Sequence, residues 1–166
     1  MSTQPYDQFV EKMQAIADLE HAVAVLSWDK EVNLPPKGAS VRSRQVATLS
    51  GMAHEMFTAT ELGELLEQLS TADADAFSPA QHRNISLTLK EYRKAQKLDS
   101  AFVVRRSQAI SKAYHAWIKA RKDNDFAGFE PALHEVVELK KEEAERLGYE
   151  EHPYDALLDL YEPEYR

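Results

Sequence analysis

The sequence predicts an all-α protein, an antiparallel bundle of six or seven helices, and three observations carry that reading. Apolar residues recur at steps of three and four, or multiples of them, through most of the chain, which lays them along one face of a helix. No segment alternates apolar and polar residues with the period of two that a half-buried strand requires. Hydrophobic residues make up 43% of the 166, and the 7 Pro and 5 Gly form no low-complexity tract. Such a chain buries a core and folds, and residues 1–166 are expected to form a single helical domain.

The first helix is expected from about Pro5 to Val32, with Tyr6, Phe9, Met13, Ile16, Val23 and Leu26 on its apolar stripe. Asn33-Leu34-Pro35-Pro36 ends it, because each proline removes a donor and pushes the residue before it away from helical angles. A second helix follows from about Ala39 to Phe57 on Arg42, Val46, Leu49, Ala53 and Met56, so residues 5–57 make a helical hairpin. Thr58-Ala59-Thr60-Glu61 reads as a capping box ahead of a short third helix bearing Leu62, Leu65, Leu66 and Leu69. Residues 70–78 are small, polar and aperiodic, the expected loop. Ser78-Pro79 then supplies an N-cap and a first-position proline for a fourth helix marked by Ile85, Leu89 and Tyr92. A long fifth helix is expected from about Ser100 to Lys122 on Phe102, Val103, Ile110, Tyr114, Trp117 and Ile118, and Asp123-Asn124-Asp125 interrupts it. Pro131 is expected near the start of a sixth helix carrying Leu133, Val136, Val137, Leu139, Ala144 and Leu147, closed by Gly148 in a left-handed conformation. His152-Pro153 opens a short last helix running through Leu160.

The net charge of −8 argues against nucleic acid as a partner, since phosphate binding is driven by Lys and Arg releasing counterions. The charge is unevenly spread. Residues 81–122 hold eleven Lys and Arg against two acids, Glu91 and Asp99, while the rest of the chain is strongly acidic. The expected consequence is a basic helical hairpin packed beside acidic helices. No apolar run approaches the roughly 20 residues that span a bilayer, so no membrane partner is expected. The absence of cysteine excludes disulfides, thiolate nucleophiles and Cys-based metal sites, and suits a cytoplasmic protein.

Two His-Glu pairs invite a metallopeptidase reading, because HExxH on a helix sets two imidazoles one turn apart on a zinc ion. Neither completes the motif: His54-Glu55 is followed by Thr58 in place of the second ligand, and His134-Glu135 by Glu138. With no third ligand in view, both read as ordinary helix-surface residues, and no catalytic or metal-binding residue is expected in this chain. No phosphate-binding glycine loop and no GxSxG elbow is present either.

Trp28-Asp29-Lys30-Glu31-Val32-Asn33-Leu34-Pro35-Pro36-Lys37-Gly38, with Arg42, Arg44-Gln45 and Leu49-Ser50-Gly51 after it, resembles the N-terminal signature of the thermostable, Taq-type zinc carboxypeptidases. Trp117 to Arg121, Asp125-Phe126 and Phe129-Glu130-Pro131-Ala132-Leu133 resemble that family's central stretch. Tyr154-Asp155-Ala156-Leu157-Leu158-Asp159 with Tyr161-Glu162-Pro163 resembles its YDxLLDxYEP segment, although Glu164-Tyr165-Arg166 departs from it. The resemblance implies zinc-dependent removal of C-terminal amino acids from peptides by an all-helical, often dimeric subunit of roughly 500 residues, with the metal at the bottom of a long groove. It makes this chain the N-terminal part of that larger fold, a wall or lid of the groove, inactive by itself. Its partners are then the remaining catalytic part, peptide substrates and a second copy in a homodimer; zinc or another divalent metal belongs to the whole enzyme. The residues that carry the signature are Trp28, Asp29, Arg42, Tyr154 and Asp155. Trp28 reads as a helix contact or a groove aromatic, and Asp29 as an ion-pair partner of Arg42 or Arg44 across the turn. Tyr154 and Asp155 read as anchors of the last helix or as groove-lining residues. The alternative, from another class, is a free-standing helical module that binds peptides or a protein partner.

Overall fold

The structure is a computed structural model that describes residues 4–35 and 37–162. Pro36 of the predicted turn, and the stretch from Pro163 to Arg166, lie outside the described residues. Among the described residues the chain forms seven α-helices and no strand: α1 (Gln4–Val32), α2 (Ala39–Phe57), α3 (Thr60–Ser70), α4 (Pro79–Ala95), α5 (Ser100–Asp123), α6 (Phe126–Leu147) and α7 (Pro153–Leu158). A single 3₁₀ turn, Ala74–Ala76, lies in the segment expected to be loop.

The helices pack as a row, α1 on α2, α2 on α5 and α5 on α6, with the α3–α4 pair laid against the first half of α1 and α7 against α6. Two apolar cores result. In one, Phe9 and Ile16 of α1 meet the buried leucines of α3 (Leu62, Leu65, Leu66, Leu69) and Ile85, Leu89 and Tyr92 of α4. In the other, Leu98, Phe102, Val103 and Ala109 pack on Leu139 and Leu147. Each large side chain so buried contributes about 1.5–3 kcal/mol. Between the cores α2 presents small residues, Ala47, Gly51 and Ala53, so that its backbone lies close on α5; a Cβ at Gly51 would stand 2.9 Å from Val104 Cγ2.

The helix ends show where local chemistry decides. Ser78 caps α4 with Gln81 in a reciprocal box, and Asp99 caps α5 by accepting from Phe102 N at 2.7 Å. The predicted box at Thr58 does not form. Thr58 still belongs to the end of α2, with φ −96° and ψ 6°, and its hydroxyl donates back to His54 O at 2.8 Å; Ala59 starts α3 without a side-chain cap. An N-cap side chain reaches forward only from an extended backbone, which Thr58 lacks. α6 begins five residues before Pro131, because Asp125 accepts from Gly128 N at 3.0 Å and caps the helix there. Pro131 is therefore inside the helix, where it leaves the carbonyl of exposed Ala127 to solvent. Gly148 has the positive φ expected of it, 77°, but its ψ of 147° is extended rather than left-handed helical. Asn124, at φ 52° and ψ 40°, is the residue that turns left-handed, between α5 and α6.

The basic α4 and α5 face acids on α3 and α6 and one just past α7. Arg105 and Lys112 pair with Glu142 and Glu135 of α6 at 2.6 and 2.9 Å, and Arg93 with Glu67 of α3 at 2.7 Å. Lys94 reaches Asp159, just past α7, at 2.7 Å. The charge asymmetry of the sequence is largely neutralised across helix contacts.

Candidate functional site

The signature residues Asp29 and Arg42 meet at the α1–α2 corner. Arg42 Nη1 donates to Leu26 O at 2.9 Å and to Asp29 Oδ2, and Arg42 Nε reaches Gln45 Oε1 at 3.2 Å. Asn33 Nδ2 donates to the other Asp29 oxygen at 3.3 Å, and Gly38 N closes the turn onto Pro35 O at 2.8 Å. Hydrogen bonds from Arg42 first and Asn33 second hold the Asp29 carboxyl below its ordinary 3.8. Arg44, the other candidate partner, is exposed. Trp28, one residue from this pair, is 60% exposed. It belongs to neither core.

The exposed aromatic surface continues onto α5. Lys30 Nζ stands 4.4 Å above the Tyr114 ring, Trp117 lies 6.2 Å from Tyr114, and Arg121 covers Trp117 at 5.1 Å. Ile110, Trp117, Ile118, Phe126, Leu133 and Val137, most of them on the apolar stripes read from the sequence, remain exposed. Beneath this surface His115 Nε2 is buried with no hydrogen-bond partner among the described residues. Burial, and then the nearby Lys30 charge, hold the His115 imidazole below its ordinary 6.5.

At the other signature block, His152 caps α7 by accepting from Tyr154 N at 3.1 Å, and Asp155 Oδ2 accepts from His152 N at 3.1 Å. Tyr154 is 61% exposed. The structure does not bring Tyr154 or Asp155 to Trp28.

Neither His-Glu pair fits zinc. The His54 Nε2–H donates to Leu98 O at 2.5 Å, and the Thr58 hydroxyl is spent on His54 O. Glu138 is held by Lys141 at 2.7 Å, with Lys141 keeping its carboxyl below the ordinary 4.5. Among the described residues no three His, Asp or Glu side chains are grouped to hold a metal ion.

A cleft of about 620 Å³ opens between α1, α2, α4, α5 and α6. Its walls are apolar, with Val23, Phe57, Leu98, Val103, Ile110 and Leu160. Glu143 is among its lining residues; its side chain is fully buried and bridges two cations, with Oε1 accepting from Arg106 Nη1 and Oε2 from Lys140 Nζ at 2.7 Å. A buried carboxylate survives only when paired in this way. Sequence reasoning passed over Glu143, yet its register gave a signal, since it stands four residues from Leu139 and four from Leu147 in the buried stripe of α6. No described helix is long and apolar enough to cross a membrane.

The family model for carboxypeptidase Taq (M32) metallopeptidases matches residues 8–166. Thermostable carboxypeptidase 1 of Pyrococcus furiosus is 37% identical over 155 residues, covering 93% of this chain and 31% of that protein. Carboxypeptidase 1 of Bacillus subtilis is 33% identical over 156 residues, covering 94% and 31%. The solved BsuCP structure superposes with a TM-score of 0.93 at 31% identity, over 98% of this chain and 33% of that one. The chain thus spans about a third of the length of the curated relatives it matches, aligned with their N-terminal third.

Proposed function

This chain belongs to the carboxypeptidase Taq (M32) metallopeptidase family, and we propose that it supplies the N-terminal helical wall or lid of the substrate groove in an enzyme that removes C-terminal amino acids from peptides. The observation that carries this reading is the uncovered apolar face: Trp28 and Val32 at the end of α1, Val41 on α2, Trp117 and Ile118 on α5, and Phe126 on α6 are all exposed. Surface of this kind marks an interaction site. Matching a third of its relatives' length supports the remaining two thirds of the peptidase as what covers it. The reacting groups, and zinc or another divalent metal, then come from that remainder, because neither His-Glu pair completes the HExxH motif and His54 is held by Leu98 O. On this reading Asp29 and Arg42 set the angle of the α1–α2 corner, Trp28 contacts the remainder, and Tyr154 and Asp155 anchor the end of the wall. The cysteine-free chain suits a cytoplasmic enzyme, which fractionation of the source cells checks.

Alone, the chain is expected to hide the same face against a second copy, since a two-fold contact lets one patch cover itself. One experiment tests both halves. Sedimentation equilibrium of the chain alone should give a dimer that persists in moderate salt, with no turnover of blocked dipeptides. Adding the complementary C-terminal two thirds of a relative should convert it to a one-to-one complex with metal-dependent carboxypeptidase activity, weakened by Trp28→Ala. Turnover by the chain alone, or failure of the two parts to associate, contradicts the proposal.

A further inference from the structure

We propose that the strip of α5 and α6 beyond the cleft seats an acidic amphipathic helix of the remaining peptidase, one with two carboxylates about two turns apart on an apolar ridge. The inference rests on the reading that the remainder covers this face, and adds the chemistry of what covers it. A helix turns by about 100° per residue, so Ile110, Tyr114, Trp117 and Arg121 of α5 fall within about 60° of arc, as do Lys140, Val137, Leu133 and Phe126 of α6. Ile110 and Lys140 line the cleft, and the rest of each row runs on past it. The ion pairs Arg105–Glu142 and Lys112–Glu135 show that the two helices run antiparallel, with Ile110 and Tyr114 level with Val137 and Leu133. The rows therefore continue the cleft as one open strip. Ile110, Trp117, Phe126, Leu133 and Val137 are all exposed along it, and contiguous apolar surface marks a place of interaction.

Two cations bound the aromatic part of the strip. Lys30 of α1, half-buried and about two turns beyond the cleft residue Val23, holds its ammonium 4.4 Å above the Tyr114 ring, and the Arg121 guanidinium stands 5.1 Å over Trp117. Neither has an acidic partner among the described residues. Glu130, at the α6 edge of the strip, pairs with neither, and Glu31 and Asp123 lie on other sides of α1 and α5. An aromatic ring attracts a cation less strongly than water solvates it, so a ring alone does not make burial of the charge favourable. Whatever covers the apolar strip removes water from both cations and must bring a carboxylate to each. Tyr114 and Arg121 are two turns apart, about 10 Å along α5, which matches carboxylates at positions i and i+7 of a helix lying along the strip. Apolar residues between them meet Trp117 and Leu133. The chain matches about a third of its relatives' length, which leaves the remainder to supply such a helix. A second copy fits less well, because strip against strip brings cations toward cations.

The test measures association of this chain with the C-terminal two thirds of the Bacillus subtilis carboxypeptidase 1, by titration calorimetry at two salt concentrations. Lys30→Gln and Arg121→Gln should each weaken binding at least about tenfold, and together they should flatten its salt dependence. Lys119→Gln, on the opposite side of α5, should change binding by less than about twofold. Thermal unfolding checks that the variants fold, and the salt dependence of the unaltered chain reads the charge contribution without them. Failure of the two parts to associate refutes the covered-face reading and the proposal with it. A complex that Lys30→Gln and Arg121→Gln leave as tight as the parent's, and that salt does not weaken, refutes the acidic helix alone. Should those variants instead weaken self-association of the chain by itself, the strip belongs to a second copy, which also overturns the proposal.

Discussion

Adding one methyl group at Gly63 should destabilise the protein by about 2–4 kcal/mol, although glycine to alanine inside a helix ordinarily stabilises by about 0.5–1 kcal/mol. A Cβ built on Gly63 would lie 2.2 Å from Tyr92 Oη, 2.5 Å from Cζ and 2.8 Å from Cε1. Tyr92 must retreat by about an ångström, and it is held on three sides. Its ring meets Phe57 edge-on with centroids 6.3 Å apart, its hydroxyl donates to Ala59 O at 3.3 Å, and the same oxygen accepts from Gln96 Nε2 at 2.7 Å. Overpacking costs about 1–3 kcal/mol and each lost hydrogen bond about 0.5–1.5 kcal/mol, which together exceed the helix-propensity gain. Urea unfolding followed by circular dichroism should show a lower midpoint with an unchanged slope. In a Tyr92→Leu background the cost of Gly63→Ala should fall by more than about half, because the coupling sits in this one contact. A Gly63→Ala protein as stable as the parent would refute the close approach of α3 to α4.

Glu143→Gln should cost about 2–3 kcal/mol in the same assay, below the full penalty for breaking a buried pair because Arg106 and Lys140 can turn toward water; a cost under about 1 kcal/mol contradicts the bridging role. Stability should fall with pH in two stages. His115, held below its ordinary 6.5, contributes stability as a neutral ring that is lost as pH drops from about 6.5 toward its folded value, and His115→Phe should remove this first stage. Asp29, Asp99, Glu138 and Glu142, held below their ordinary 3.8 and 4.5 chiefly by hydrogen bonds from Arg42, Arg146, Lys141 and Arg105, contribute stability present above those values and lost below them. Unfolding midpoints between pH 3 and 8 that rise on acidification would contradict both assignments.

How much of this was legible in the sequence depends on whether the deciding partner lay nearby in the chain. Boundaries set by local chemistry were read closely, as at Ala39 and Phe57 for α2 and at Ser78-Pro79 for α4, where a cap or a proline acts within one turn. The same local reasoning failed at Thr58 and Pro131, where the neighbouring helix or an earlier cap, Asp125, had already claimed the backbone. Periodicity found the stripe of α5 but could not say which part of it is covered. Phe102 and Val103 are buried by α6, while Trp117 and Ile118, on the same stripe about four turns later, are exposed. A hydrophobic stripe records that a face is to be covered and leaves its partner unnamed. Glu143 shows the converse limit. Its place between Leu139 and Leu147 marked it for burial, but what makes burial possible is Arg106, 37 residues earlier on another helix. Nothing within a turn of Glu143 identifies that arginine, and the cleft above it exists only once five helices have been placed. Spacing along one helix therefore locates the anomaly, a carboxylate among leucines, while its chemistry is fixed by tertiary packing.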